Sequence, residues 1–118
     1  MIKEPIALDK YATDTEAAVM RFFVAHAIER GYMLSVHDGG DGPEALTVDR
    51  STDAEKILAA LATAGEDTIR VHRDGKFVGW AFMVYNNGET SPIADYMDVE
   101  PMRALMSAVD DYADTLEG

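Results

Sequence analysis

The stretch V-H-D-G-G-D-G-P-E-A-L-T-V, residues 36–48, brings metal-ligand side chains together, because His37, Asp38, Asp41 and Glu44 lie within eight positions. A calcium loop alternates its oxygen ligands and ends on a bidentate carboxylate, whereas these acids are three residues apart. A zinc site needs neighbouring histidines or thiolates, and the chain has no cysteine. Glycines followed by proline are typical of a polar turn between two strands. We therefore expect a turn here, with no metal and no cofactor.

Other catalytic patterns are missing from the sequence. No serine lies in a G-x-S-x-G context, and H-D-G-G-D-G separates two predicted strands instead of opening a helix, as a phosphate-binding loop would. The clustered acids near the C-terminus are predicted on an exposed helix face, where nothing would raise a carboxyl pKa. We expect a non-enzymatic protein; the remaining enzyme hypothesis uses loop 38–44 with a metal.

The elements that position these residues follow from periodicity and capping signals. Thr13 and Glu16 have capping-box spacing before an apolar helix that ends at Gly31, and a second helix is predicted over 51–64. Alternating strands are predicted at 32–37, 45–50, 67–73 and 76–86, with a short extended segment at 93–96 and a last helix from Asp98. The prediction for 1–118 is a single α+β domain of two layers: an antiparallel sheet of four to five strands with three helices, in the order α-β-β-α-β-β-(β)-α.

The turn Asp74-Gly75 predicts a tight hairpin and thereby a register. Pairing Arg73 with Lys76 places Ile69 opposite Trp80 and predicts a core face that continues through Phe82 and Val84. The outer face would then carry His37, His72, Phe77, Met83 and Tyr85. Small residues between larger ones on this face (Gly79 and Ala81) indicate that a third helix, a second copy or a target covers it.

Charge dominates the composition. Ten lysines and arginines against 22 acids give a net charge of −12, and residues 89–118 hold eight of the acids with one base, Arg103. Direct nucleic-acid binding is disfavoured, because phosphate contacts need a basic surface. No apolar run is long enough for a membrane span, and no signal peptide is recognisable, so we expect a cytoplasmic protein without membrane contact.

Four sequence segments resemble those of small uncharacterised proteins of phages, prophages and their bacterial hosts. They are L-T-V-D-R-S-T-D-A-E-K-I-L-A-A-L, G-E-D-T-I-R-V, F-M-V-Y-N-N-G-E and I-A-D-Y-M-D, the last being an I-[SA]-D-Y segment before the final helix. The resemblance covers roughly residues 32–105. It implies a small accessory protein of a mobile element and brings no catalytic residues with it.

These observations predict an accessory protein that binds another protein with a basic surface, as a host-defence inhibitor (an anti-CRISPR candidate among them) or nucleic-acid mimic would. The residues expected to bind the partner are the acids of the last helix, with two acids before it as a second rank: Asp110, Asp111, Asp114 and Glu117, then Asp95 and Asp98. The alternative is a small ligand-binding or homo-oligomeric domain, a homodimer among the possibilities, that uses the outer sheet face. Solubility alone also accounts for the negative charge.

Overall fold

The computed structural model describes residues 6–38 and 43–117. The chain folds in the order α1 (Ala7–Tyr11), α2 (Asp14–Glu29), β1 (Met33–Asp38), a 3-10 turn (Pro43–Ala45), β2 (Leu46–Ser51), α3 (Ala54–Ala59), β3 (Glu66–Arg73), β4 (Lys76–Val84), β5 (Ile93–Tyr96) and α4 (Glu100–Glu117). This confirms the predicted α+β class and its antiparallel sheet, here of five strands. The described residues contain four helices instead of the three expected, because α1 was not predicted.

The sheet has the strand order β2-β1-β3-β4-β5, and every neighbouring pair is antiparallel. The two hairpins therefore lie side by side, joined by β1 and β3. In this pairing His37 faces Thr68 and His72 faces Met33. The two histidines are thus four positions apart along the strands, roughly 13 Å at the usual rise, which is too far to share one metal ion.

The predicted capping signals place α2 correctly. Glu16 N–H donates to Thr13 Oγ1 at 3.1 Å and Thr13 N–H donates to Glu16 Oε1 at 2.9 Å, which completes the capping box. Gly31 follows the helix with a φ of +94°, a conformation that glycine adopts without strain. The expected helix over 51–64 is shorter in the structure, where α3 ends at Ala59.

The predicted core face of β4 was wrong. Arg73 pairs with Lys76 as expected, but a β-bulge lies between Phe77 and Gly79, so that Arg70 instead of Ile69 faces Trp80. One extra residue moves every later side chain of β4 to the opposite face. Trp80, Phe82 and Val84 consequently lie on the outer face, and their neighbours turn towards the helices.

The helices cover one face of the sheet and close the core. Helix α4 turns Met102, Leu105, Met106, Val109 and Ala113 inwards, and all five are buried. The small residues of β4 are therefore covered by a helix of the same chain, one of the three alternatives that the sequence left open. No helix in the described ranges is both long and apolar enough to cross a membrane.

Candidate partner-binding groove and outer-face pocket

The acids of α4 point away from the core because the helix is amphipathic. Asp110, Asp111, Asp114 and Glu117 are all exposed, as their positions opposite the buried stripe require. Beside them the segment 87–94 runs along the C-terminal half of α4 and leaves a groove of about 700 Å³. We call this the acidic groove; its lining residues are Asn87, Glu89, Thr90, Ser91, Ile93, Ala94, Asp110, Ala113, Asp114 and Glu117.

The electrostatics of the acidic groove are one-sided. Among the described residues that line it, four side chains are carboxylates and none is a lysine or arginine. Partial burial, with Asp114 and Asp111 close by, raises the pKa of Asp110 above its ordinary value. Thr90 Oγ1 donates to Glu117 Oε1 at 2.9 Å, which links the loop to the end of α4. A groove of this kind favours a cationic occupant.

The structure separates the second-rank acids from this groove. Asp95 is exposed on β5, where it pairs with Phe82 and its Oδ1 accepts the N–H of Tyr96 at 2.9 Å. Asp98 precedes α4 and forms an ion pair with Arg103 at 2.8 Å. Neither residue lines the groove, and Asp111 lies on the exposed surface next to it. The groove therefore unites three of the four first-rank acids and adds Glu89, which the sequence did not single out.

A second concave site lies on the outer face of β1, β2 and β3. This outer-face pocket has a volume of about 260 Å³ and is lined by Ser35, His37, Leu46, Asp49, Arg50, Arg70, His72, Gly75 and Phe77. It contains three of the residues predicted for the outer face, His37, His72 and Phe77. The other two, Met83 and Tyr85, were wrongly placed there: the bulge in β4 turns them towards the helices, where both are buried.

The outer-face pocket brings together two arginines, one aspartate and two histidines. Arg50 donates to both carboxylate oxygens of Asp49, at 3.0 and 3.1 Å. Arg70 forms no ion pair with any described carboxylate, and its guanidinium lies 5.9 Å from the centre of the Phe77 ring. Burial and then the charge of Arg50 lower the pKa of His72, Asp49 opposes them, and Arg70 and His37 add smaller lowering effects. The pocket is therefore locally basic in a strongly acidic chain.

Ser35 and His72 have the atom types of a nucleophile and its base, since Ser35 Oγ lies 3.3 Å from His72 Nε2. Ser35 is, however, only 2% exposed, and its Oγ also accepts the N–H of Arg50 at 2.9 Å. A nucleophile has to reach its substrate, so the geometry favours a positioning role for this serine. Ser35, Arg50 and Arg70 were missed in the sequence because only the pairing of β1 with both β2 and β3 brings them together.

The 38–44 loop can be followed only in part, since Asp41 lies outside the described residues. Asp38 Oδ2 accepts the hydroxyl proton of Thr63 at 2.8 Å, and Glu44 is exposed. Across residues 6–38 and 43–117 no group of three histidines or acids is arranged to hold a metal ion. Comparison with protein-family models, curated protein sequences and solved structures finds no match to this chain.

Proposed function

We propose that this protein is a non-enzymatic accessory protein that binds another protein through the acidic groove. The partner presents a basic surface that normally faces nucleic acid, as host-defence and nucleic-acid-handling factors of bacteria do. The observation that carries the proposal is the groove itself, which the described part of the chain lines with four carboxylates and with no lysine or arginine. The resemblance to phage and prophage proteins supports placing the partner among bacterial host proteins.

The positions of the acids support a binding role more than a structural one. Asp114 and Glu117 lie in the last turn of α4, where negative charge opposes the helix dipole. Asp110 and Asp114 are four residues apart, a spacing at which like charges repel each other along a helix. A cationic partner removes both costs when it binds. The stability of the helix alone therefore does not account for these acids.

The spacing of the acids also suits an imitation of nucleic acid. Asp110, Asp114 and Glu117 follow each other along α4 at intervals of roughly 6 and 4.5 Å, from the usual rise of an α-helix. Such a row of negative charges resembles a series of phosphates on one strand. The net charge of −12 would in addition accelerate the encounter with a basic partner at low salt.

Affinity capture from bacterial lysate tests this proposal. The wild type is compared with a groove variant, Asp110→Asn/Asp114→Asn/Glu117→Gln, and with a control variant, Glu29→Gln/Glu44→Gln/Asp74→Asn, which removes the same charge at exposed positions outside the groove. We expect one partner to be captured by the wild type and the control variant and lost by the groove variant. A partner that all three capture equally would contradict the proposal.

Self-association through the outer sheet face is the second candidate function. Trp80, Phe82 and Val84 follow one another on this face of β4, and each is half-buried by its own chain alone. An apolar row on an uncovered sheet face is common at contacts between proteins. Sedimentation velocity at rising concentration checks this candidate: a dimer that the variant Phe82→Glu abolishes supports it, and a monomer at all concentrations contradicts it.

A further inference from the structure

The outer-face pocket is independent of the acidic groove, because it lies on the sheet face that the helices leave open. It is a small site, close to the lower limit of volumes that bind small molecules. Ser35 and His37, two of its polar lining residues, are buried. Convergent polar groups around an apolar wall are typical of sites for small molecules.

We propose that the outer-face pocket binds a small organic anion, whose carboxylate or phosphate contacts Arg70 and His72 while its apolar body lies against Phe77. The charge of Arg50 is balanced by Asp49, whereas Arg70 has no carboxylate partner among the described residues. An anion would supply that partner. Guanidinium groups bind carboxylate and phosphate in a bidentate way, which gives Arg70 the geometry for this role.

His72 is positioned to respond to such an anion. Ser35 Oγ lies 3.3 Å from its Nε2, and the Phe77 ring meets the imidazole edge-on at a centroid distance of 6.0 Å. In protonated His72 both ring nitrogens are donors, so that one can serve Ser35 and the other an anion. A bound anion favours the protonated form and raises the pKa of His72 back from its lowered value. Binding of a carboxylate, which stays ionised in this range, should therefore strengthen as the pH falls through the pKa of His72.

Phe77 supplies the apolar wall. Phe77 is 47% exposed, which leaves its ring accessible to a ligand. Arg70 lies over one part of this ring, so that an aromatic ligand can stack beside the cation that holds its acid group. Trp80, the single tryptophan, pairs with Arg70 across β3 and β4 and provides a fluorescent reporter at the edge of the site.

The experiment titrates the whole protein with phenyl phosphate, benzoate and inorganic phosphate, following the imidazole resonances of His37 and His72 and the fluorescence of Trp80. We expect saturable shifts with the ring-bearing anions, weaker binding of inorganic phosphate, and a raised pKa of His72 in the complex. Which of phenyl phosphate and benzoate binds more tightly identifies the acid group. The absence of saturable shifts at both histidines up to roughly 10 mM of every probe would overturn the proposal.

Two variants locate the site. Arg70→Gln should lower the affinity for all three probes by roughly ten-fold, because a charge-assisted contact is lost. Lys10→Gln, which removes the same charge from α1 on the helical side, should leave them unchanged. Phe77→Ala should lower the affinity for phenyl phosphate to that for inorganic phosphate, because the apolar wall is lost. Equal affinities in wild type and Arg70→Gln, with an unchanged backbone amide spectrum, would overturn the assignment. Capture of a partner by the acidic groove is unaffected by either outcome.

Discussion

Met102 of α4 lies directly over Gly79 of β4: a Cβ placed on Gly79 would come within 2.4 Å of Met102 Cγ and 3.0 Å of its Sδ. The glycine lets α4 approach the sheet, and the sheet holds the helix that carries the acidic groove. The φ of Gly79 does not lie in the left-handed region, so the requirement is one of space.

Gly79→Ala should therefore destabilise the protein, by about 1–3 kcal/mol as overpacked cores do. Urea denaturation measures the change. Combining it with Met102→Ala should cost less than the sum of the two single variants, because the cavity left by Met102 accepts the new methyl group. Strictly additive free energies of unfolding would show that the contact does not limit the approach of α4.

The buried carboxyl group of Asp67 should make stability depend on pH. Its Oδ2 accepts the hydroxyl proton of Tyr85 at 2.7 Å and the N–H of Ala62 at 2.8 Å, while its Oδ1 is buried without a hydrogen bond from any described residue. Burial raises the pKa of Asp67 to about 6, and Asp38, its cross-strand neighbour, adds to the effect.

Because the folded-state pKa exceeds the unfolded one, the fold binds more protons between pH 4 and 6, and the stability contributed by this group falls as the pH rises through that window. Asp67→Asn should remove this dependence and stabilise the protein at pH 8 by at most about 3 kcal/mol. The difference in free energy of unfolding between wild type and variant, followed from pH 4 to 8, checks this. A difference that does not change with pH would contradict the assignment.

Glu16 connects the start of α2 to the end of β4. It is fully buried, and besides completing the capping box its two carboxylate oxygens both lie 2.9 Å from the N–H of Asn86. Asn86 has a φ of +59°, a conformation that asparagine tolerates, and the contact with Glu16 satisfies its backbone N–H. Glu16→Ala leaves two backbone donors without a partner and should cost about 2–4 kcal/mol, whereas Thr13→Ala should cost about 1 kcal/mol. Similar losses for both in thermal unfolding would mean that the contact with Asn86 contributes little.

The acids of α4 should cost stability while they support binding. The groove variant Asp110→Asn/Asp114→Asn/Glu117→Gln reduces repulsion within the helix and with its dipole, and we expect the free energy of unfolding to rise by about 1 kcal/mol. The control variant Glu29→Gln/Glu44→Gln/Asp74→Asn should stay within about 0.5 kcal/mol of wild type, because Glu29 alone of its three acids lies in the last turn of a helix. Thermal unfolding at low salt measures both. A groove variant less stable than wild type would mean that these carboxylates serve the fold.

The elements were predictable where local signals decide. Residues close together in the sequence determine the capping box of Thr13 and Glu16, the Asp74-Gly75 turn and the alternation of the strands. The fold class followed from these signals. The faces of β4 were predicted wrongly, because the bulge at Val78, between Phe77 and Gly79, inverts the strand beyond it. Gly79 inside the strand is a local signal of such a bulge, and it was interpreted only as a small residue of the outer face. The early end of α3 depends on Asp67, a residue outside the helix. Its carboxylate accepts the N–H of Ala62, which has a φ of +62°.

The two candidate sites also differ in how far the sequence predicted them. The exposed face of α4 could be read from its helical period, so that Asp110, Asp114 and Glu117 were found in the sequence. The outer-face pocket needs three strands in register before Arg70 and Ser35 become neighbours, and of its lining residues the sequence had singled out only His37, His72 and Phe77. Met83 and Tyr85 were wrongly assigned to the outer face, because the predicted register of β4 did not contain the bulge.

The affinity of the purified partner for wild type, groove variant and control variant tests the central claim most directly. It is measured by calorimetry at low and at physiological salt. We predict that the wild type and the control variant bind alike, that both weaken as salt rises, and that the groove variant loses at least roughly ten-fold in affinity at low salt, with less dependence on salt. Equal affinities of the groove and control variants, with the same response to salt, would contradict binding through the acidic groove.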